Sequence, residues 1–140
     1  MPGFDSIIDQ ERPIRILTSL LVNGTLPHAL LFTGIEGVGK KTAAVALAMA
    51  CNCTDRETGA DGAAAPSPGA VEPCGECAAC RKITAGARPD ILRVSPAGAM
   101  IKIDQIRELC QVLTMKPYEA RVRVVIIADA HTLNPAAGNA

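Results

Sequence analysis

A parallel α/β sheet, built from strands that alternate with helices, is the fold this sequence predicts. Three observations carry that reading. Short apolar runs at 29–32, 90–94 and 124–127 are separated by segments with helical periodicity. A glycine-rich turn, Gly34-Ile35-Glu36-Gly37-Val38-Gly39-Lys40, joins the first run to an alanine-rich helical segment, which is the strand–loop–helix setting a phosphate-binding loop requires. The run Val124–Ile127 is apolar at every position, as in a strand buried on both faces.

The chain has 140 residues, of which 49% are hydrophobic, enough for one domain with a real core. Fourteen basic residues balance 14 acidic ones, which excludes a strongly basic nucleic-acid arm or an acidic tail. Aromatics are 2%, so stacking on exposed bases is not its main activity. No apolar run reaches the roughly 18 residues of a membrane span. The start, MPGFDSIIDQ, is acidic and unlike a signal peptide. Six cysteines without export features suggest a metal before disulfides. A soluble cytoplasmic protein is the expectation.

The first helix is expected at 10–22. Asp9 would be its N-cap, Pro13 lies in its first turn or just beyond, and Asn23-Gly24 is its stop. Ile14, Leu17 and Leu21 share one face. His28 precedes the first strand and reads as structural rather than ligand-binding. The second helix, 40–50, uses Ala, Leu and Met, all strong helix formers. Residues 54–72 have no apolar period and read as a flexible surface excursion. A short helix should pass through Arg81-Lys82-Ile83, and 90–94 is the second strand, closed by Ser95-Pro96-Ala97-Gly98. Asp104 would cap a helix whose core stripe is Ile106, Leu109, Cys110 and Leu113, with Pro117 ending it. Asn134-Pro135 opens a last helix. That helix is met by Ala140 and reads as cut short.

In the glycine-rich loop, Gly34, Gly37 and Gly39 free backbone N–H groups to curl around phosphate oxygens, and Lys40 is placed for the terminal phosphates. The pattern G-x-x-x-x-G-K-[ST] then wants a hydroxyl for Mg²⁺. This chain has Lys41 there, with Thr42 one place late. Neighbouring helical residues differ by about 100° of rotation, so Thr42 is no simple substitute. At the end of the third strand, where phosphate-loop enzymes hold Mg²⁺ and polarise water with carboxylates, Ala128-Asp129 offers a single one. Asp129 is either a solvated strand end or a remnant of nucleotide binding. The expected Mg²⁺ site is degraded at both contributors.

Cys74-x-x-Cys77-x-x-Cys80 packs three thiols closely, and Cys53 stands just before the excursion that leads to them. Four thiolates make a closed tetrahedral Zn²⁺ site, structural rather than catalytic. Cys51 competes with Cys53 for the fourth place, although a helix still running there turns Cys51 toward the core. An iron–sulfur cluster is the rival reading; Arg81-Lys82-Ile83-Thr84 stands where the ferredoxin pattern has its fourth Cys and Pro. On the cysteines alone, a redox or nucleic-acid-binding module is a further alternative.

The segments FDSIIDQERPIRILTSLLVNGTLPHALLFTGIEGVGKKTAA, RPDILRV, IKIDQIREL and KPYEARVRVVIIADAHTLN, with the cysteine module and AAGNA, resemble the delta-prime family of bacterial DNA polymerase III clamp-loader subunits. The resemblance runs in order through the whole chain apart from 54–72. It implies a three-layer parallel sheet of the P-loop NTPase (AAA+) type, of which 1–140 is the N-terminal portion, with later strands, lid and oligomerisation domain beyond. Residues 51–83 would be a zinc-binding insertion, with Cys53, Cys74, Cys77 and Cys80 as ligands of a structural Zn²⁺. Ala128 takes the position of the Mg²⁺-binding Asp and Asp129 that of the catalytic Glu. The implied function is a stator in a loader that places the sliding clamp on primed DNA. Its implied partners are the gamma/tau and delta subunits, with weak ATP or ADP binding and no membrane. The related gamma/tau subunits, active ATPases of the same complex, would keep G-K-T and an Asp-Glu pair, and are the alternative.

Overall fold

The computed structural model describes residues 3–55 and 71–140. The chain divides into two compact units, Met1–Arg88 and Pro89–Ala140. No helix among the described residues is long and apolar enough to cross a membrane.

Among the described residues of the first unit, a 3₁₀ turn, Phe4–Ser6, precedes three α-helices: α1 Glu11–Val22, α2 Lys40–Asn52 and α3 Ala78–Thr84. Phe4, Leu17, Ala46, Leu47 and Ala50 form the core, with Ile7, Ile14, Leu21 and Cys51 packed against it. The Ile14–Leu17–Leu21 face therefore faces inward as its spacing predicts. Helix α1 begins one residue later than expected, however, and Asp9 is not its cap. Asp9 sits at φ +58°, a turn conformation outside the cap's extended region, and Gln10 takes the cap position without a side-chain bond.

The expected first strand is not formed. Residues 29–32 pair with no strand among the described residues; Leu31 is 78% exposed, and only Phe32 packs against the core. A strand exists through its ladder, and among its described residues the first unit offers no second strand to supply one. The excursion expected at 54–72 lies, from 56 to 70, outside the described residues. Its far edge packs inward. Val71 is fully buried, and Glu72 Oε1 accepts the Asp5 N–H at 3.4 Å. A Cβ on Gly3 would overlap that carboxylate, so the N-terminal turn closes directly onto Glu72.

The second unit is a strand–helix–strand module. Strands β1 Ile91–Val94 and β2 Val124–Ile127 pair in parallel, Ile91 opposite Val124 and Val94 opposite Ile127, and α4 Ile103–Thr114 makes the crossover between them. A 3₁₀ turn, Ala130–Thr132, and the single-turn α5 Pro135–Gly138 follow. The Asn134 side chain accepts the Ala137 N–H at 2.7 Å with Pro135 in the first position, the cap its sequence predicts. Val94, Ile101, Ile106 and Ala137 are the core.

Three expectations fail here. Strand β2 is half-buried rather than buried on both faces, with Ile127 38% exposed at its end, because too little of the chain packs over it. Cys110 and Leu113 are exposed, since the covered stripe of α4 is Ile103–Ile106–Leu109 and its partners do not reach further round the helix. Asp104 lies within the first turn of α4 rather than at its cap. There Gln105 reaches back to accept the Lys102 N–H at 3.0 Å and donates to Ser95 O at 2.8 Å.

Asp90, 1% exposed, is the hub of this unit. Its carboxylate accepts the N–H groups of Tyr118, Glu119 and Ala120 at 2.7–2.9 Å and pairs with Arg123 at 3.2 Å. The Arg123 guanidinium also donates to Val112 O, Met115 O and Lys116 O, closing the C-terminal end of α4. Burial opposes ionisation of Asp90, but the three N–H donors and Arg123 outweigh it and hold the carboxyl well below the usual carboxylate range.

Asp90→Ala would strip three N–H groups and a buried guanidinium of their acceptor, at an expected loss of about 3–5 kcal/mol in urea denaturation at pH 7. Because folding lowers this pKa, the stabilisation is fully present above the unfolded value of about 3.9 and is lost as pH falls toward the folded value. The gap between parent and variant should therefore narrow only below about pH 4. A gap unchanged down to pH 2 would show that the charge is not what stabilises.

Candidate functional site

The glycine-rich loop closes onto the N-terminus of α2. Gly39 occupies the cap position at φ +93°, and its carbonyl accepts the Ala43 N–H at 2.8 Å, starting the helix. Only a residue without a Cβ takes that conformation freely. A Cβ at Gly39 would also come within 3.1 Å of Ile7 Cγ2. Gly37, at φ +80°, faces open space instead. Lys40 folds back over the loop, its Nζ donating to Gly34 O at 2.8 Å and Ile35 O at 2.6 Å. Its charge is thus held at the mouth of the loop. Lys41 is exposed and Thr42 half-buried, and His28 is exposed.

Asp129 belongs to the second unit. It is exposed, at φ +51°, and caps the 3₁₀ turn after β2, its carbonyl accepting the N–H and hydroxyl of Thr132 at 2.8 and 2.7 Å. A non-glycine residue in the left-handed region is uncommon and marks a tight chain reversal.

The sulfurs of Cys53, Cys74, Cys77 and Cys80 all lie within 4.8 Å of one another. Cys53 Sγ is 3.5 Å from Cys74 Sγ and 4.0 Å from Cys77 Sγ, and Cys74 Sγ is 4.0 Å from Cys80 Sγ. A tetrahedron with metal–sulfur bonds of about 2.3 Å has sulfur–sulfur edges of about 3.8 Å. The spacing fits one Zn²⁺. A cluster of several irons with bridging sulfides would spread its thiolates further. Cys51, on the last turn of α2, packs into the core outside this group.

Local turns aim the sulfurs. Gly75 at φ +75° lets the chain reverse so that Cys77 N–H donates to Cys74 Sγ at 3.3 Å, and Cys80 N–H donates to Cys77 Sγ at 3.4 Å as α3 begins. Burial disfavours the Cys77 thiolate, yet hydrogen bonds from Thr54 and Cys80 outweigh it and bring the thiol down to about 5. Burial pushes Cys80 up, and the sulfurs of Cys77 and Cys53 add to that. Four thiolates cannot ionise together in this space without a cation among them. Two neighbours escaped the sequence reading: Thr54, through its bonds to Cys77, and Asp55, whose Oδ2 is 3.9 Å from Cys74 Sγ. Their adjacency to Cys53 was the available signal.

The two glycines separate conformational strain from packing. Gly37→Ala should cost about 1 kcal/mol, the left-handed penalty alone. Gly39→Ala should cost about 2 kcal/mol or more, because Ile7 must also move. Urea denaturation of both variants checks this, and equal losses would remove any structural role for the Ile7 contact.

Residues 9–140 match the family described as "DNA polymerase III, delta subunit". The tau subunit of DNA polymerase III from Bacillus subtilis is 34% identical over 137 residues, 98% of this chain and 22% of that protein. The delta' subunit from the same organism is 32% identical over 130 residues, 93% of this chain and 36% of its own length. Escherichia coli tau is 32% identical over 137 residues, 98% of this chain and 19% of its own. The chain thus spans about a fifth to a third of these relatives. With the match extending over nearly every residue, the chain belongs to the DNA polymerase III delta-subunit family.

Proposed function

We propose that this chain serves in DNA replication as a structural, stator-like subunit of the clamp-loader complex of DNA polymerase III, acting with gamma/tau and delta subunits to place the sliding clamp on primed DNA. On this reading it is part of an AAA+ domain with a three-layer parallel sheet, works in the bacterial cytoplasm, and does little or no ATP hydrolysis itself. Family membership and the replication-subunit names of its relatives support the setting. The observation that carries the stator role is the residue pattern around the loop. Gly34, Gly37, Gly39 and Lys40 supply the backbone and charge of a phosphate cradle, while Lys41 and Ala128 stand where Mg²⁺ needs a hydroxyl and a carboxylate. An ammonium cannot ligate a cation, and Thr42 and Asp129 are left as isolated oxygen donors.

The cradle would take ATP or ADP through loop N–H groups and Lys40, weakly and without dependence on Mg²⁺. Zn²⁺, held by Cys53, Cys74, Cys77 and Cys80, would tie the end of α2 to α3 as a purely structural ion. Residues 51–83 form the zinc-binding insertion on this reading. An active ATPase of the gamma/tau type is the second reading, favoured by the 34% identity to a tau subunit beside the 32% to a delta' subunit.

Calorimetry on zinc-replete protein should give micromolar or weaker ATP and ADP binding that is unchanged by Mg²⁺, with no steady-state ATP hydrolysis. Tight, Mg²⁺-dependent binding with turnover would replace the stator reading by the ATPase one. Elemental analysis should find about one zinc per chain, and its removal by a chelator should lower the melting temperature without abolishing the second unit's helix signal. Zinc-free protein with unchanged stability would remove the metal.

A further inference from the structure

Cys74 is the exposed member of the sulfur cluster; Cys53, Cys77 and Cys80 are buried. Its Sγ lies 3.5 Å from Cys53 Sγ, closer than the 4.0 Å that separates Cys53 from Cys77 or Cys74 from Cys80. With a metal bound, all four sulfurs are thiolates. Access rather than acidity then decides which one meets a reagent from solution.

We propose that Cys74 is a redox modification site, at which a peroxide drives formation of a Cys53–Cys74 disulfide and release of the metal. This rests on the zinc reading above. The Cys74 sulfur attacks a peroxide oxygen; the O–O bond breaks, and the leaving hydroxide takes a proton from solvent as water. Cys74 is left as a sulfenic acid. The Cys53 sulfur then attacks the Cys74 sulfur, the S–O bond breaks, and hydroxide again leaves as water with a solvent proton. The two thiolates lose two electrons in total and the peroxide gains two. Cys77 and Cys80 remain, two ligands where a structural zinc takes four.

The linkage lands on the machinery of the first unit. Cys53 is the C-terminal cap of α2, the helix whose first residue is Lys40. The sulfurs must close from 3.5 Å to about 2.05 Å. Thiol reductants reverse such a bond, so release and reloading form a cycle.

The test uses zinc-loaded protein carrying Cys110→Ser, which removes the exposed thiol of the second unit. Hydrogen peroxide is titrated while a chromogenic chelator reports free zinc and peptide mass mapping reports disulfides. Expected are one zinc released per disulfide, a first linkage between the Cys53 and Cys74 peptides, and recovery of zinc binding after reduction. Zinc retained at peroxide levels that oxidise glutathione would overturn the proposal and leave the metal site standing. A first linkage between Cys77 and Cys80 would overturn it as well. Protein that holds no zinc before peroxide is added would overturn the metal reading, and this one with it.

Discussion

Helix α2 has no polar stripe over its last two turns. Every residue from Val45 to Ala50 is buried, and so is Asn52, so the helix is stable only while neighbours cover it on every side. Its alanines let those neighbours come close: the Phe4 turn and α1 on one flank, α3 on another. Asn52, buried at the end, turns its amide back to Ala48 O at 3.0 Å. Between α2 and α3 the Thr84 hydroxyl donates to Met49 Sδ at 3.6 Å. Both candidate sites stand at the ends of this shaft, Gly39-Lys40 at its start and Cys53 at its C-cap. Sites on a buried, fully packed helix are held to tighter tolerances than sites on loops. The sulfur cluster lies where the helix end meets α3.

The second unit answers a different constraint. Parallel strands cannot be joined by a turn, so the chain must leave β1, run through α4 and come back in register. Asp90 solves the return. Its backbone carbonyl accepts the Val124 N–H at 3.1 Å, the first rung of the ladder, while its side chain gathers 118–120 and Arg123 just before that rung. Arg123 in turn holds the carbonyls at the end of α4. One buried ion pair thereby sets where the helix stops and where β2 begins. Such a pair gains little over an apolar substitute, but removal of one partner is costly.

Patterns that depend on spacing were legible in the sequence. The α1 face, the start of α2 at Lys40, the Asn134-Pro135 cap and the four-cysteine group all follow from residue type at a fixed interval. Features set by a backbone angle or a distant partner were not. Asp9 and Asp104 have the right chemistry for caps, but Asp9 entered a left-handed turn and Gln105 took over the second cap from inside the helix. Cys110 and Leu113 belong to an apolar stripe wider than the surface that covers it. Val71 sits beside a low-complexity stretch, and composition averaged over the window hid a fully buried side chain. Asp90 was hardest to see. A charge before an apolar run reads as the solvated start of a strand, and its three N–H partners come from a loop about thirty residues away.

The residues of the glycine-rich loop answer to packing as well as to any ligand. A phosphate loop is usually read through its ligand: glycines for the oxygens, lysine for the charge. In this fold Gly39 also answers to Ile7, whose side chain fills the space a Cβ would need, and to the left-handed angle that starts α2. Lys40 also answers to the loop, since its ammonium is bonded to the Gly34 and Ile35 carbonyls. Those two residues therefore stabilise the helix and the loop whether or not a nucleotide ever arrives. Position 41 is exposed on the first turn and meets no such demand. Where the requirement for Mg²⁺ is relaxed, the hydroxyl at that position is the part free to change, and Gly39 and Lys40 are the parts that packing retains. Retention of the glycines and the lysine is consequently weak evidence for turnover, and the identity of the residue after the lysine is the stronger guide.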